Sequence, residues 1–224
     1  MPKRLLFATY YFPPSGGSGV QRALKTVKYL PDFGWAPHVL TVRPEQAAYP
    51  EYDETLKSDL PPSVPVVRTK SWDPYALYAA ALGRKKEETV SIGFIDDAGE
   101  HWKQQLARWI RANVFLPDAR VGWVPFALRA ARDLMKTTSF DAVLTTGPPH
   151  STHLVGWALQ RRYGLPWVAD FRDPWTDISY YDDLPHVPPA RWLDAWLERS
   201  VLGAADAVVS VSEGIGVLLK EKAP

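Results

Sequence analysis

Short apolar runs alternate with amphipathic segments along most of this chain. The runs predict buried strands at residues 5–10, 38–42, 64–68, 142–146, 167–171 and 207–211. Apolar residues at helical spacing predict helices that begin near Val20, cover 124–135, 151–163 and 189–202, and run from an N-cap at Ser212 to Lys222. Strands alternating with crossover helices indicate a mostly parallel sheet covered on both faces. We therefore predict a Rossmann-like, doubly wound α/β domain whose ligands bind at the carboxyl ends of the strands.

The segment 71–122 interrupts this alternation and is predicted to be a helical insert. It contains predicted helices at 74–82 and 100–115, with a charged stretch at 84–88 between them. The second helix has an apolar side and basic residues flanking it: Trp102, Leu106, Trp109 and Asn113, with Lys103, Arg108 and Arg111. Such a helix either contacts a membrane surface peripherally, which suits a lipid-linked acceptor, or packs on the domain core or over the acceptor site.

Composition narrows the class of protein. The chain has 224 residues, of which 46% are hydrophobic and 23% charged, and a formal net charge of +1, which gives no argument for nucleic acid as a partner. It has no cysteine, which excludes disulfides and a thiol nucleophile and fits a cytoplasmic protein. No run approaches the roughly 18 apolar residues that span a bilayer. We expect a single domain over residues 1–224 that is soluble, or at most peripheral at the inner face of a membrane.

A glycine-rich loop after the first strand is the strongest sign of a ligand site. Gly16, Gly17 and Gly19 precede or open a helix, where free backbone N–H groups at the positive helix end suit a phosphate or diphosphate. Arg22 adds a hydrogen-bond donor in the first turn of this helix. The alternative is a tight connection in which glycine only supplies a positive φ. The loop is neither a good dinucleotide fingerprint nor a P-loop, because Arg22 stands where a small residue is expected and no Gly-Lys-Ser/Thr ending follows.

Two further loops are predicted at the same edge of the sheet. Residues 145–153 place Thr146, Gly147, His150 and Ser151 between a strand and a helix. We expect His150 to contact substrate. The alternative is that one of His150 and His153 caps the helix while the other packs near Trp157. A metal site is disfavoured because no acidic residue is near in sequence.

The third loop, residues 169–177, contains two carboxylates, a guanidinium and an indole: Asp170, Asp173, Arg172 and Trp175. One interpretation is an internal ion-pair network that fixes the loop over the indole. The other is a site in which Arg172 orients Asp170 or Asp173 toward a sugar hydroxyl. The two interpretations are compatible.

Several segments together resemble the N-terminal half of family 4 glycosyltransferases. They are Tyr-Tyr-Phe-Pro-Pro-x-Gly-Gly at 10–17, Tyr-Leu-Pro-x-Phe-Gly-Trp at 29–35, Thr-Thr-Gly-Pro-Pro-His-Ser at 145–151, Arg-Asp-x-Trp at 172–175 and the closing 205–213. The likeness covers nearly the whole chain and is weakest over 71–122.

The resemblance implies one half of a GT-B architecture, in which two Rossmann-like domains face a cleft. A nucleotide-sugar co-substrate binds mainly to the C-terminal domain, the glycan or lipid-linked acceptor binds mainly to the N-terminal one, and transfer is retaining and needs neither metal nor cofactor. The resemblance also implies roles for single residues. It implies catalytic roles for His150, Asp170, Arg172 and Asp173. It implies that the donor diphosphate is bound by Gly16, Gly17, Gly19 and Arg22, and that the acceptor or sugar is bound by Thr146, Gly147, Ser151 and Trp175.

The chain departs from the family pattern in two places. Thr146 and Gly147 stand where many members have a histidine, and the chain stops at Pro224, where the family continues into its donor-binding domain. The resemblance therefore implies that residues 1–224 alone are inactive and that the missing C-terminal domain is a partner. The function it favours is sugar transfer in the synthesis of a surface polysaccharide or glycolipid. A non-catalytic module or subunit that binds a nucleotide or phosphate ligand is the alternative, and a dinucleotide oxidoreductase is disfavoured by the fingerprint.

Overall fold

The computed structural model describes residues 2–72 and 101–223. Within these ranges one parallel sheet contains six strands: β1 (Lys3–Ala8), β2 (Trp35–Val42), β3 (Val66–Thr69), β4 (Ala142–Gly147), β5 (Trp167–Phe171) and β6 (Ala207–Ser210). Their order is β3-β2-β1-β4-β5-β6. The order reverses between β1 and β4, and ligands of open α/β sheets bind in the crevice at such a point. The predicted fold class, a doubly wound Rossmann-like sheet, is confirmed.

Helices flank the sheet within the described residues. They are α1 (Ser18–Tyr29), α2 (His101–Asn113), α3 (Val124–Met135), α4 (Ser151–Tyr163), α5 (Pro188–Ala204) and α6 (Glu213–Lys222), with short 3-10 turns at Leu30–Phe33, Pro44–Gln46, Glu54–Asp59 and Val121–Trp123. The predicted bounds of α3 and α4 are exact, those of the other helices differ by at most two residues, and Ser212 is the N-cap of α6 as expected. The predicted helix at 74–82 and the charged stretch at 84–88 lie outside the described residues. No helix that the structure describes is long and apolar enough to cross a membrane.

The central strands β1, β2, β4 and β5 are largely buried, as their apolar runs predict, whereas the edge strand β6 is exposed. Adjacent residues of β1 point to opposite faces because side chains alternate along a strand. Leu6 packs in a cluster with Trp123 and Trp167, whereas Phe7 packs in a second cluster with Leu24 of α1. This two-sided core holds the carboxyl ends of β1, β4 and β5 side by side, so the three predicted loops emerge at one edge.

The predicted apolar side of α2 does not pack on the described core. Trp102 is 63% exposed and Trp109 is 44% exposed. The carboxyl end of α2 is instead attached to the loop before α5, where Asn113 donates to the carbonyl of Pro185 (2.9 Å) and accepts from the amide of Val187 (2.7 Å). The prediction that the tryptophan side of this helix packs on the domain core is therefore wrong for the described residues. Contact of this side with a membrane surface stays a prediction.

Candidate functional site

The glycine-rich loop opens α1 without a side-chain cap. Gly17 is the N-cap, and its φ of 93° and ψ of 163° belong to a region that only glycine adopts readily. Gly16 donates its N–H to the carbonyl of Glu51 (2.9 Å), and a Cβ on Gly16 would lie 3.0 Å from the Glu51 side chain. The first amides of a helix have no acceptor within that helix. The start of α1 therefore presents the N–H groups that the sequence predicts for an anion site.

Gly19 is a glycine because Arg172 occupies the space of its side chain. A Cβ on Gly19 would lie 1.6 Å from Nη1 of Arg172. The guanidinium is fixed from the other side, since Nε donates to the carbonyl of Gly147 (3.1 Å) and Nη2 to that of Pro148. Burial lowers the pKa of Arg172 from its ordinary value, against the raising effect of Asp173 and Asp170. A largely desolvated cation thus rests on the first turn of α1.

Arg22 and Asp170 form an ion pair beside this cation. Nε of Arg22 donates to Oδ2 (2.9 Å) and Nη2 to Oδ1 (2.6 Å), and the Asp170 hydrogen bond raises the pKa of Arg22. The hydroxyl of Thr146, the β4 neighbour of Asp170 in the sheet, also donates to Oδ2 (2.9 Å). Asp170 is thus held by hydrogen bonds from Arg22 and Thr146, whereas Arg172 interacts with Asp170 and Asp173 through charge. Asp173 lies half-buried near Arg172, and no hydrogen bond of its side chain is found within residues 2–72 and 101–223.

The two histidines of the second loop are buried among aromatic rings. His150 stacks on Trp175 at 5.0 Å between ring centroids, and His153 stacks on Phe171 at 4.4 Å. Burial lowers the pKa of His150 to about 3 and that of His153 well below its ordinary value. Both rings are therefore neutral at physiological pH. A Cβ on Gly147 would lie 2.6 Å from Nε2 of His153, so this glycine is needed for close packing.

His150 occupies the N-cap position of α4, but its side chain makes no capping hydrogen bond. His153 stacks on Phe171, and no ring contact between His153 and Trp157 is found within the described residues. Asp118 caps the helix instead, from within the insert. Its carboxylate accepts from the amide and the hydroxyl of Ser151, both at 2.8 Å, and from the amide of Arg120 (2.8 Å). Burial raises the pKa of Asp118. Sequence reasoning missed this residue because it lies 33 positions upstream of the helix it caps.

A cavity of about 90 Å³ lies beside His150 and Trp175 at the carboxyl ends of β4 and β5. The cavity is also lined by residues of α2, of the segment 116–118, of the loop after β5 and of α5. These residues include Arg111, Asp118, Tyr180, Tyr181, His186 and Asp194. Of the residues that line the cavity, sequence reasoning assigned only His150 and Trp175 individually to a site, and it named Arg111 only as a flank of the predicted helix. In the part of the chain that the structure describes, no group of three His, Cys, Asp or Glu side chains could hold a metal ion.

The sites predicted from sequence thus fall into two neighbouring groups. The first surrounds the start of α1 and contains the three loop glycines with Arg22, Thr146, Asp170 and Arg172. The second surrounds the cavity and contains His150 and Trp175, with Ser151 held by Asp118 at its edge. Gly147 lies between the groups, because its carbonyl binds Arg172 while its α-carbon packs against His153.

The sequence model of the glycosyl transferase 4-like domain matches residues 16–222. The chain therefore belongs to this glycosyltransferase family, and the resemblance to family 4 glycosyltransferases is confirmed. No curated protein sequence matches.

The solved structure of a sucrose-phosphate synthase shows the same fold. The chain is similar to sucrose-phosphate synthase from Thermosynechococcus elongatus, with a TM-score of 0.59 and 12% identity. That match covers 98% of this chain and 45% of the synthase, so the chain spans less than half of that protein. UGT2 from Phytolacca americana, in its apo form, gives a TM-score of 0.44 and 16% identity, over 77% of this chain and 30% of that one.

Proposed function

We propose that this chain is the acceptor-side domain of a retaining glycosyltransferase, which transfers a sugar from a nucleotide-sugar to a glycan or lipid-linked acceptor. In this proposal a second domain supplies most of the donor site, and the isolated 224-residue chain is inactive. The family membership supports sugar transfer, and the 45% coverage of sucrose-phosphate synthase is compatible with a further domain. Synthesis of a surface polysaccharide or glycolipid in the cytoplasm is the setting we infer.

One observation carries the proposal: the Arg172 guanidinium rests on the first turn of α1, where Gly19 has no side chain. A helix N-terminus and a guanidinium are both suited to a phosphate. Their combination at the reversal of strand order gives a place for the leaving diphosphate at the reacting edge of the domain. We assign Gly17, Gly19 and Arg172 to this contact. Arg22 acts through Asp170, to which it is bound through two hydrogen bonds.

The neutral histidines bear on the mechanism. His150, with a pKa of about 3, is too weak a base to take a proton from an acceptor hydroxyl at neutral pH. Catalysis in this proposal depends on positioning the two substrates and on stabilising charge that develops on the leaving diphosphate. No metal is required for that step, because Arg172 and the helix start supply the positive charge.

The test uses the full-length protein, a panel of nucleoside diphosphate sugars and detection of the released nucleoside diphosphate. Gly19→Ala should displace Arg172, and Arg172→Ala should remove it; each should lower turnover about 100-fold, the effect of losing one preorganised contact to developing charge. Because both changes remove the same contact, the double variant should be scarcely worse than either single one.

Gly214→Ala is the matched control, since it also changes a glycine in the first turn of a helix but its Cβ meets no atom within 4 Å. It should retain full turnover. Additive losses in the double variant would contradict the shared contact. Binding of UDP or GDP without any sugar transfer, in protein that contains all of its domains, would favour the non-catalytic binding module instead.

A further inference from the structure

Helix α5 has two buried carboxylates one turn apart that the proposed mechanism does not use. Asp194 and Glu198 are each 1% exposed, although acidic side chains are almost never fully buried unless they are paired. Both face the loop that follows β5, which contains Trp175 and lines the cavity described above. Their partners show what they hold in place.

Asp194 holds two aromatic side chains of this loop. Its Oδ1 accepts from Nε1 of Trp175 (2.8 Å), and its Oδ2 accepts from the hydroxyl of Tyr181 (2.9 Å). Both rings line the cavity. One carboxylate therefore sets the position of two cavity walls, and each of its oxygens is used once.

Glu198 secures the same loop one turn further along α5. It accepts from the hydroxyl of Thr176 (2.6 Å) and from Nζ of Lys222 in α6 (2.9 Å), and Lys222 also pairs with Asp177. This contact offsets the negative charge of Glu198. The polypeptide directly after Trp175 is thus attached to two helices, while the indole itself is held by Asp194.

The position of the indole in turn determines that of His150. The two rings are nearly parallel, with 9° between their planes, and His150 is 8% exposed. A contact path therefore leads from Asp194 through Trp175 to the loop after β4, at the edge of the sheet where we place the reaction.

The chemistry of the cavity fits one sugar ring. His150 stacks on the Trp175 indole and His186 on the Tyr181 ring, so these two rings present their edges to the cavity. Together with the half-exposed ring of Tyr180 they can pack against the C–H groups of a pyranose, and the guanidinium of Arg111 at the lining can bond to its hydroxyls. The volume of about 90 Å³ admits the polar edge of a single ring and excludes a nucleotide.

We propose that Asp194 is a positioning residue that holds Trp175 and Tyr181 as the aromatic walls of a subsite for one pyranose ring. That the ring belongs to the acceptor rests on the proposed function; the subsite itself and the role of Asp194 rest on the contacts above.

The test observes the indole of Trp175 directly by ¹⁹F NMR, in full-length protein labelled with 5-fluorotryptophan. The ¹⁹F resonance of Trp175 is assigned as the one lost in Trp175→Phe. The probes are methyl α-D-glucopyranoside, methyl α-D-mannopyranoside and methyl α-D-galactopyranoside, each titrated without nucleotide. At least one should shift the Trp175 resonance in a saturable manner. Asp194→Asn should shift this resonance in the free protein and weaken that binding about tenfold.

Asp183→Asn is the control, because this exposed carboxylate belongs to the same loop and should leave both readouts unchanged. If Asp194→Asn fails to fold, Tyr181→Phe replaces it; this variant removes one of the two hydrogen bonds and should weaken binding about threefold. No shift of the Trp175 resonance with any pyranoside overturns the subsite. Unchanged affinity in Asp194→Asn, or in Tyr181→Phe where that variant replaces it, overturns the positioning role.

The result is separable from that of the proposed function, because this binding is measured without donor or turnover. Saturable pyranoside binding in a protein that transfers no sugar would contradict the proposed function alone. Sugar transfer by a protein whose Trp175 resonance never responds would contradict the subsite alone.

Discussion

The two strand–loop–helix connections after β1 and β4 are alike in sequence but differ in what occupies the helix start. Each has glycine and hydroxyl residues before a helix, and the sequence predicts a diphosphate site at the first and a contact with acceptor or sugar at the second. The start of α4 is filled by the Asp118 carboxylate, whereas the start of α1 has no side-chain cap and lies beside the Arg172 guanidinium. An internal acid thus makes one helix start structural, and a neighbouring cation makes the other suitable for an external anion. Local sequence does not distinguish them.

Removing the internal anion should have the largest effect. Asp118→Ala should lower the free energy of unfolding by about 3 kcal/mol, because the variant loses the buried carboxylate that caps α4 and leaves the Ser151 amide without its acceptor. Urea denaturation measures this change.

Asp133→Ala is the comparison variant, since its ion pair with Lys136 is exposed and screened by solvent, so its loss should leave the free energy of unfolding nearly unchanged. Equal stability of the two variants would show that the start of α4 does not depend on Asp118, and the contrast between the two connections would fail.

The aromatic packing of the second connection predicts a pH dependence. The folded-state pKa of His150 is about 3, below the unfolded value of 6.5, so its stabilising effect is complete above pH 6.5 and is lost as the pH falls. Between pH 7 and pH 5 His150 alone should remove about 2 kcal/mol from the free energy of unfolding. His150→Gln should lack this component when urea denaturation is compared at both pH values.

Asp194 predicts a pH dependence of the free energy of unfolding that is opposite in sign to that of His150. Burial raises its pKa to about 6, above the usual 3.8, so the folded state takes up a proton first and this group becomes more stabilising as the pH falls through 6. Asp194→Asn should therefore steepen the loss between pH 7 and pH 5 by about 1 kcal/mol. Both pH predictions fail if the variants and the parent protein respond identically.

The smallest expected effect tests the first connection. Gly17→Ala should lower the free energy of unfolding by about 1 kcal/mol, because a Cβ is strained at this φ even though no neighbouring atom lies within 4 Å of it. Gly214→Ala should be neutral or slightly stabilising, since a helical glycine gains from the replacement. A Gly17→Ala variant as stable as the parent would mean that the loop adopts another conformation at no cost.

The strands and most helices could be predicted from sequence because their signals are local. The run at 142–146 is β4 with one further residue, and Ser212 caps α6 as its position before an amphipathic run indicates. The residues gathered at the candidate site were also predictable in part, since the carboxyl ends of parallel strands meet at one edge.

Their pairing was not predictable, because it depends on residues distant in the chain. Arg22 binds Asp170 from 148 positions away, and Asp118 reaches Ser151 across 33. Both acids of α5 were visible in the sequence as a spacing of four, but nothing local showed that they face a loop rather than solvent.

The sequence by itself determined the class of fold and the three loops that carry the site, because hydrophobic periodicity and glycine positions act within a few residues. The tertiary structure alone decided the role of each charged group. Gly16, Gly17 and Gly19 look equivalent in the sequence, yet one avoids Glu51, one adopts a positive φ, and one leaves room for Arg172. The physical reason is that desolvation and charge pairing depend on what packs against a side chain, and at this site the packing partners come from other elements of the fold.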